Sequence, residues 1–274
     1  NGELHLGHAL SALVGYEQAR AAGGRFLLRM EDIDAARTRP EFVAGIFEDL
    51  RWLGLDWEEP VLFQSSRMPA YRSAAQRLQG LLYPCFAARS EMEVAVRRGE
   101  RDPDGAPLYP GLWKGRPQRD IDDARAAGRR PAWRIDMAAA LRAAAAILRG
   151  RPLAFVELDP GGAPQRVEAR PERWGDAVVV RKDVPTSYHL AVVVDDAWQG
   201  VTHVTRGRDL YAATDLHRLL QVLLGLPEPV YRHHRLIEDS DGRKLSKGAR
   251  DTSLRSLRER GVGADEIRRR VGVA

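Results

Sequence analysis

The sequence predicts an α/β protein built around a doubly wound parallel sheet, and three observations carry that expectation. Short apolar runs of strand length alternate with helical stretches of period 3.6 at both ends of the 274-residue chain. Glycines and prolines punctuate the junctions between them. A middle stretch of different texture interrupts the alternation, as an insertion into such a core would.

The elements follow in order. Behind the opening NGELHLGHAL, residues 9–20 (ALSALVGYEQAR) place Ala9, Leu10, Leu13 and Val14 on one helical face, and Gly23 and Gly24 end it. Residues 25–30 (RFLLRM) form a nearly continuous apolar run suited to a buried parallel strand, and the acidic cluster EDID (31–34) follows. Pro40 begins a second helix through FVAGIFEDLRWLGL, residues 61–64 read as a strand and residues 69–82 as a helix. The texture changes from 83 to 174. A Gly/Pro-rich loop (ERDPDGAPLYPGLWKGRP) leads into an Ala/Arg-rich stretch and a β-hairpin in PLAFVELDPGGAPQRVEARP. The core pattern returns with DAVVVRKD and YHLAVVVDDA, both strand-like, then a leucine-rich helix over 210–226, a turn at DSDG and the segment GRKLSKGARD. The expected division is 1–82 and 175–235 for the two halves of the core, 83–174 for the insertion and 236–274 for a C-terminal segment.

Composition excludes several classes. No apolar run approaches the roughly 18 residues of a membrane span, and no secretory leader is visible. The single cysteine, Cys85, rules out an intramolecular disulfide and suits a reducing compartment, so a cytoplasmic location is expected. A net charge of +5 fits a polyanionic partner. Only four of the basic residues are lysines, Lys114, Lys182, Lys244 and Lys247, which makes the closely spaced last two conspicuous.

Two motifs carry chemistry. In HLGH, His5 and His8 flank Gly7 where a helix is expected to start, and the unpaired N–H groups and dipole of a helix N-terminus favour an anion. Gly7 would let a flat base approach the backbone. A cap with one solvent-facing histidine explains the same residues, while a metal pair is disfavoured because no Asp, Glu or Cys nearby completes a ligand set. In GRKLSKGARD, Lys244 and Lys247 are point charges in a Gly-flanked loop, suited to closing over a polyphosphate; a solvated basic turn would read the same way.

Taken together, HLGH and the distant KLSKG resemble the paired signatures of class I aminoacyl-tRNA synthetases. The resemblance implies a Rossmann-type parallel sheet with an inserted α+β subdomain and a short C-terminal helical segment. It also implies ATP, accompanied by Mg²⁺, held by His5, Gly7, His8, Lys244, Ser246 and Lys247, with His5, His8, Lys244 and Lys247 as the catalytic set. GGRFLLRMEDID and SYHLAVVVDDAWQGVTHVTRGRDL resemble the glutamyl/glutaminyl subgroup. By that resemblance Glu31 holds the amino group of L-glutamate, Tyr188 lines the pocket and Arg206 pairs with the side-chain carboxylate. A bidentate guanidinium suits an acidic side chain. Simpler pairings are Glu31 with Arg37 or Arg39, Tyr188 in core packing, and Arg206 with Asp209.

Only 27 residues follow Lys247, and no anticodon-binding region is expected there. The subfamily that resembles the chain in this respect is the glutamyl-Q tRNA(Asp) synthetases, with Val192 where full glutamyl synthetases often carry an asparagine. It implies tRNA(Asp) bearing queuosine in its anticodon loop as partner, no membrane, and a monomer. Alternatives are a catalytic fragment of an ordinary glutamyl synthetase that charges a tRNA 3′ end, and a non-catalytic RNA-binding relative. The family's Arg and Ser ahead of the first signature are not in the chain, so residues preceding Asn1 are expected. Some members bind zinc in the insertion, but the corresponding places hold Cys85, Ala87, Tyr109 and Trp113; one thiolate does not make a tetrahedral site, and no zinc is expected. Cys85 is then a small buried residue, with Trp113 expected to pack the loop.

Overall fold

A computed structural model of the chain describes residues 2–34, 37–95, 99–237 and 253–273. The first half runs α1 (Leu6–Ala21), β1 (Leu27–Met30), α2 (Pro40–Trp52), β2 (Glu58–Phe63), α3 (Met68–Arg77), β3 (Leu82–Cys85), α4 (Arg89–Ala95), α5 (Gln118–Ala126), β4 (Ala132–Ile135) and α6 (Met137–Leu148). The second runs β5 (Ala154–Leu158), β6 (Pro164–Glu168), β7 (Val178–Val180), α7 (Tyr188–Gln199), β8 (His203–Gly207), α8 (Ala213–Leu224), β9 (Val230–His234), α9 (Leu254–Glu259) and α10 (Ala264–Val271).

Parallel pairing joins β1 to β2, with Met30 opposite Phe63, and joins β9 to both β5 and β8, with Tyr231 opposite Val204. The four-stranded sheet is ordered β6-β5-β9-β8, and an antiparallel sheet of order β3-β4-β7 stands apart. The hairpin of β5 and β6, expected in the insertion, extends the sheet of β8 and β9. Conversely β7, expected with the core, pairs with β4 at Trp133 and Val180.

One element differs outright from expectation. YHLAVVVDDA is not a strand but α7. Ser187 caps its start by accepting a hydrogen bond from the Leu190 N–H at 3.4 Å, and Gly200 ends it in the left-handed region at φ 66°. Caps at both ends outweigh the strand propensity of three consecutive valines. The helix is buried between α3 and α8, so apolar residues face several sides and blur its period.

Two cores hold these layers. One gathers Leu190, Val193, Leu216, Leu219 and Leu220 from α7 and α8 with Ala140 and Ala144 of α6. The other gathers Ala9, Leu10 and Leu13 of α1, Leu50 and Leu53 beside α2, and Leu254, Leu257, Ile267 and Val271 of α9 and α10. Each leucine removed from water contributes about 1.5–3 kcal/mol. α1 also lies close on β8, because a Cβ on Gly15 would meet Phe26 at 3.3 Å and Thr205 at 3.6 Å.

The Pro-rich loop of the insertion is fastened by packing and ions. Trp113 packs on Phe86 with ring centroids 4.9 Å apart, and its backbone N–H donates to the Tyr109 hydroxyl at 2.7 Å; the Cys85 thiol donates to the same oxygen at 3.3 Å. Lys114 bridges Asp136 at 2.9 Å and Asp176 at 3.1 Å, a fastening the sequence did not suggest.

Candidate active site

The first turn of α1 is shaped by its two histidines. His5 is the N-cap, its Nδ1 accepts from the Gly7 N–H at 3.1 Å, and His8 Nδ1 accepts from the His5 N–H at 3.1 Å. This is a reciprocal capping box built from imidazoles in place of a hydroxyl and a carboxylate. With Nδ1 accepting in both rings, the neutral imidazoles carry their protons on Nε2, where each is a donor. The rings lie 3.9 Å apart, and no acidic residue occupies the first turn. A helix start with positive potential and imidazole N–H donors suits an anion. Gly7 has a more local reason than base approach: a Cβ there would meet His5 Cε1 at 3.0 Å, so the capping ring needs the space.

Arg206, near the end of β8, is only 7% exposed. Its Nε donates to His233 Nε2 at 3.1 Å, Nη1 to His217 Nδ1 at 3.0 Å and Nη2 to Thr214 Oγ1 at 2.7 Å. Below it lies the Tyr231 ring, 5.3 Å from the guanidinium carbon. Among the described residues no carboxylate is within ion-pair distance, and the expected alternative with Asp209 is not formed. Buried cations normally keep a counter-ion; Arg206 keeps uncharged acceptors.

Those acceptors are neutral for identifiable reasons. Burial holds His217 well below its ordinary value, helped by Arg206, and brings His189 down to about 4. His217 Nε2 then donates to His189 Nδ1 at 3.1 Å. His233 is lowered by burial against the pull of Glu157, to whose carboxylate its Nδ1–H donates at 2.8 Å. Nothing in the sequence announced this set, since its members come from β5, α7, α8 and β9; the Thr-x-x-His spacing of Thr214 and His217 on one helical face was the available signal.

Glu31 and Tyr188 border the same guanidinium. Desolvation pushes the Glu31 carboxyl up, opposed by the Arg29 side chain 3.7 Å away and by Arg206. Burial pushes the Tyr188 hydroxyl up to about 12, with Arg206 opposing. Arg37 and Arg39 instead pair with Asp34 and Glu41. Arg29 donates through Nη1 to Asp196 at 2.8 Å and Gln199 at 2.9 Å, tying β1 to α7. Asp195 accepts from Gln64, Arg67 and Tyr71, which ties α7 to the start of α3.

Lys244, Ser246 and Lys247 lie outside the described residues. The chain resumes at Ser253, which forms a β-bridge with His5, and the Leu254 N–H donates to the Leu4 carbonyl at 2.8 Å. Among the described residues no group of three or more His, Cys, Asp or Glu side chains is placed to hold a metal ion, and no helix is long and apolar enough to cross a membrane. At the insertion, Cys85, Tyr109 and Trp113 satisfy one another, so the donor set does not fit zinc.

Comparison with known proteins identifies the family. The family described as "tRNA synthetases class I (E and Q), catalytic domain" matches residues 1–150 and 156–269. A Rhodobacter capsulatus protein named glutamyl-Q tRNA(Asp) synthetase is 46% identical, over 99% of this chain and 96% of its own length; one of the same name from Symbiobacterium thermophilum is 39% identical, over 97% and 81%. A Methylobacterium protein named glutamate–tRNA ligase 2 is 40% identical over 95% of this chain and 55% of its own. Among solved structures, an Elizabethkingia meningosepticum glutamate tRNA ligase in complex with its amino acid superposes with a TM-score of 0.69 at 26% identity, covering 95% of this chain and 51% of that one. A glutamate-tRNA synthetase from Elizabethkingia anophelis shares the fold at a TM-score of 0.70 and 24% identity, over 95% and 52%. The chain belongs to the class I tRNA synthetases of the glutamate and glutamine group, whose catalytic domain it carries.

Proposed function

We propose that the protein activates L-glutamate with ATP to glutamyl-adenylate and transfers the glutamyl group to the queuosine base in the anticodon loop of tRNA(Asp). The observation that carries the first step is the buried Arg206, whose positive charge has no carboxylate partner among the described residues. A glutamate side chain supplies that partner. Glu31 receives the α-amino group, and an ammonium beside it reverses the desolvation that raises its pKa. Tyr188 closes the wall between them.

The α-carboxylate oxygen of glutamate attacks the α-phosphorus of ATP, and the bond to pyrophosphate breaks. Catalysis of this kind needs alignment and charge stabilisation with no enzyme nucleophile. His5 and His8 offer Nε2–H groups at the N-terminus of α1, and Lys244 and Lys247, with Ser246, neutralise the leaving pyrophosphate. The reach supports this: Lys247 precedes Ser253 by six residues, about 20 Å at full extension, and Ser253 is bridged to His5. Mg²⁺ carried by the ATP would supply further charge neutralisation on its phosphates. The acceptor rests on the relatives named glutamyl-Q tRNA(Asp) synthetase, which match over most of their length.

The test is ATP–pyrophosphate exchange with glutamate, glutamine and aspartate, with and without tRNA, followed by transfer of labelled glutamate to tRNA(Asp) with or without queuosine. Expected are glutamate-specific exchange without tRNA and label only on the queuosine-bearing tRNA. Exchange that needs tRNA, with label at a 3′ end, replaces the acceptor by that of a charging enzyme; no exchange under any condition overturns the activation step.

A further inference from the structure

The cradle around Arg206 has a feature that the pocket's chemistry requires to be explained. A guanidinium has five N–H groups. Three are taken by His233, His217 and Thr214, one from each nitrogen. Nη1 and Nη2 each carry a second N–H beyond these three bonds, on a guanidinium that the Tyr188 hydroxyl also borders. Every acceptor already in place is uncharged. The Glu157 carboxylate stops one residue short: it accepts from the Nδ1–H and backbone N–H of His233 at 2.8 and 2.9 Å, and it is the imidazole that touches Arg206.

Resting on the reading of Arg206 as the side-chain site, we propose that His217 and His233 are positioning residues that set specificity for an acidic over an amide side chain. They hold the guanidinium by neutral lone pairs, which fixes its orientation without cancelling its charge. Each ring is itself held in the accepting tautomer from behind, His217 by His189 and His233 by Glu157. A carboxylate at either ring position would orient Arg206 equally well but satisfy its charge internally, and the incoming glutamate would then compete with a built-in partner. The packing gives little room for the cradle to relax, because His217 is 1% exposed and Tyr231, under the guanidinium, also 1%.

The experiment compares His217→Gln with His217→Glu in the full chain, two acceptors of similar size that differ in charge. KM for glutamate, KM for ATP and kcat are read from pyrophosphate exchange. The Glu variant is expected to raise the glutamate KM above that of the Gln variant on the order of 100-fold, with the ATP KM equal in the two. Its preference for glutamate over glutamine should collapse while that of the Gln variant persists. Should the Glu variant not fold, His233→Leu against His233→Gln separates acceptor from non-acceptor, with a glutamate KM on the order of 10-fold higher in the Leu variant expected. Equal glutamate KM within both pairs overturns the cradle proposal. Arg206→Leu is measured alongside: if it leaves the glutamate KM unchanged, the side-chain site itself is misassigned, whereas loss of glutamate activation there with equal KM in the cradle pairs rejects only the cradle.

Discussion

At the scale of single residues, the site divides tasks between backbone and side chain. His5 and His8 spend one nitrogen each on the backbone of their own helix, so the same two rings start α1 and stand at its anion-attracting end. The task proposed for Lys247 is charge stabilisation of the leaving pyrophosphate. Replacing it with Ala should lower kcat for pyrophosphate exchange by about 100-fold or more while leaving the thermal midpoint unchanged, since only charge stabilisation of the leaving group is lost; unaltered exchange in that variant would remove Lys247 from the mechanism. His5, Gly7, His8, Lys244 and Lys247 stand out in the sequence because each motif is local; of these, His5, Gly7 and His8 meet at the first turn of α1, and Lys244 and Lys247 lie outside the described residues. The partners of Arg206 were not legible, because Thr214, His217 and His233, with Glu157 behind His233, meet only when β5, β9 and α8 are assembled. Periodicity and motif spacing do not encode which distant lone pairs converge on one cation.

At the scale of elements, the misread strand in α7 shows which signal prevailed. Apolar content and β-branching pointed to a strand; Ser187 and Gly200, twelve residues of helix apart, carried the outcome. α2 was read correctly because it keeps a solvated side that sharpens its period, whereas α1 was marked by the apolar spacing of Leu10 and Leu13 and by the glycines that end it. α2 also carries a pH-sensitive contact with α9, where Asp49 faces Arg258 at 3.4 Å and is 1% exposed. Burial raises its carboxyl to about 6, with Arg258 opposing and Glu3 and Glu48 adding to the rise. The unfolded value is about 3.9, so the folded state binds the proton more tightly. The favourable contribution is present below that value and is lost as pH rises through 6. Asp49→Asn, locked in the uncharged form, should therefore gain stability over the parent by up to about 2–3 kcal/mol near pH 8, and the gain should fade towards about pH 4. Urea unfolding at both ends of that range checks the sign; a gain that grows on acidification contradicts it.

At the scale of the whole molecule, the second core couples the two ends of the described chain. Ile267 is fully buried against α1, and Arg268 reaches Glu17 at 3.1 Å and the Leu53 carbonyl at 3.2 Å. Ile267→Ala should cost about 2–4 kcal/mol. Because the cavity opens under the helix that begins at His8 and His5, it should also raise the ATP KM more than the glutamate KM, as read from exchange kinetics; equal effects on both would show that α1 does not transmit the loss. The α/β class was legible at this scale from alternation alone. The membership of β5, β6 and β7 in their sheets was not, since strand order in a sheet depends on crossovers that leave no mark on any single run.

The bridge between Ser253 and His5, with the Leu254 amide on the Leu4 carbonyl, makes the tail a non-covalent clasp as well as a continuation of the chain. A protease that cut once between Ile237 and Ser253 would leave two polypeptides still joined by Leu254, Leu257, Ile267 and Val271. Such a nicked protein would run as one particle on a sizing column and as two bands once denatured, and its separately expressed pieces would be natural partners for reassembly.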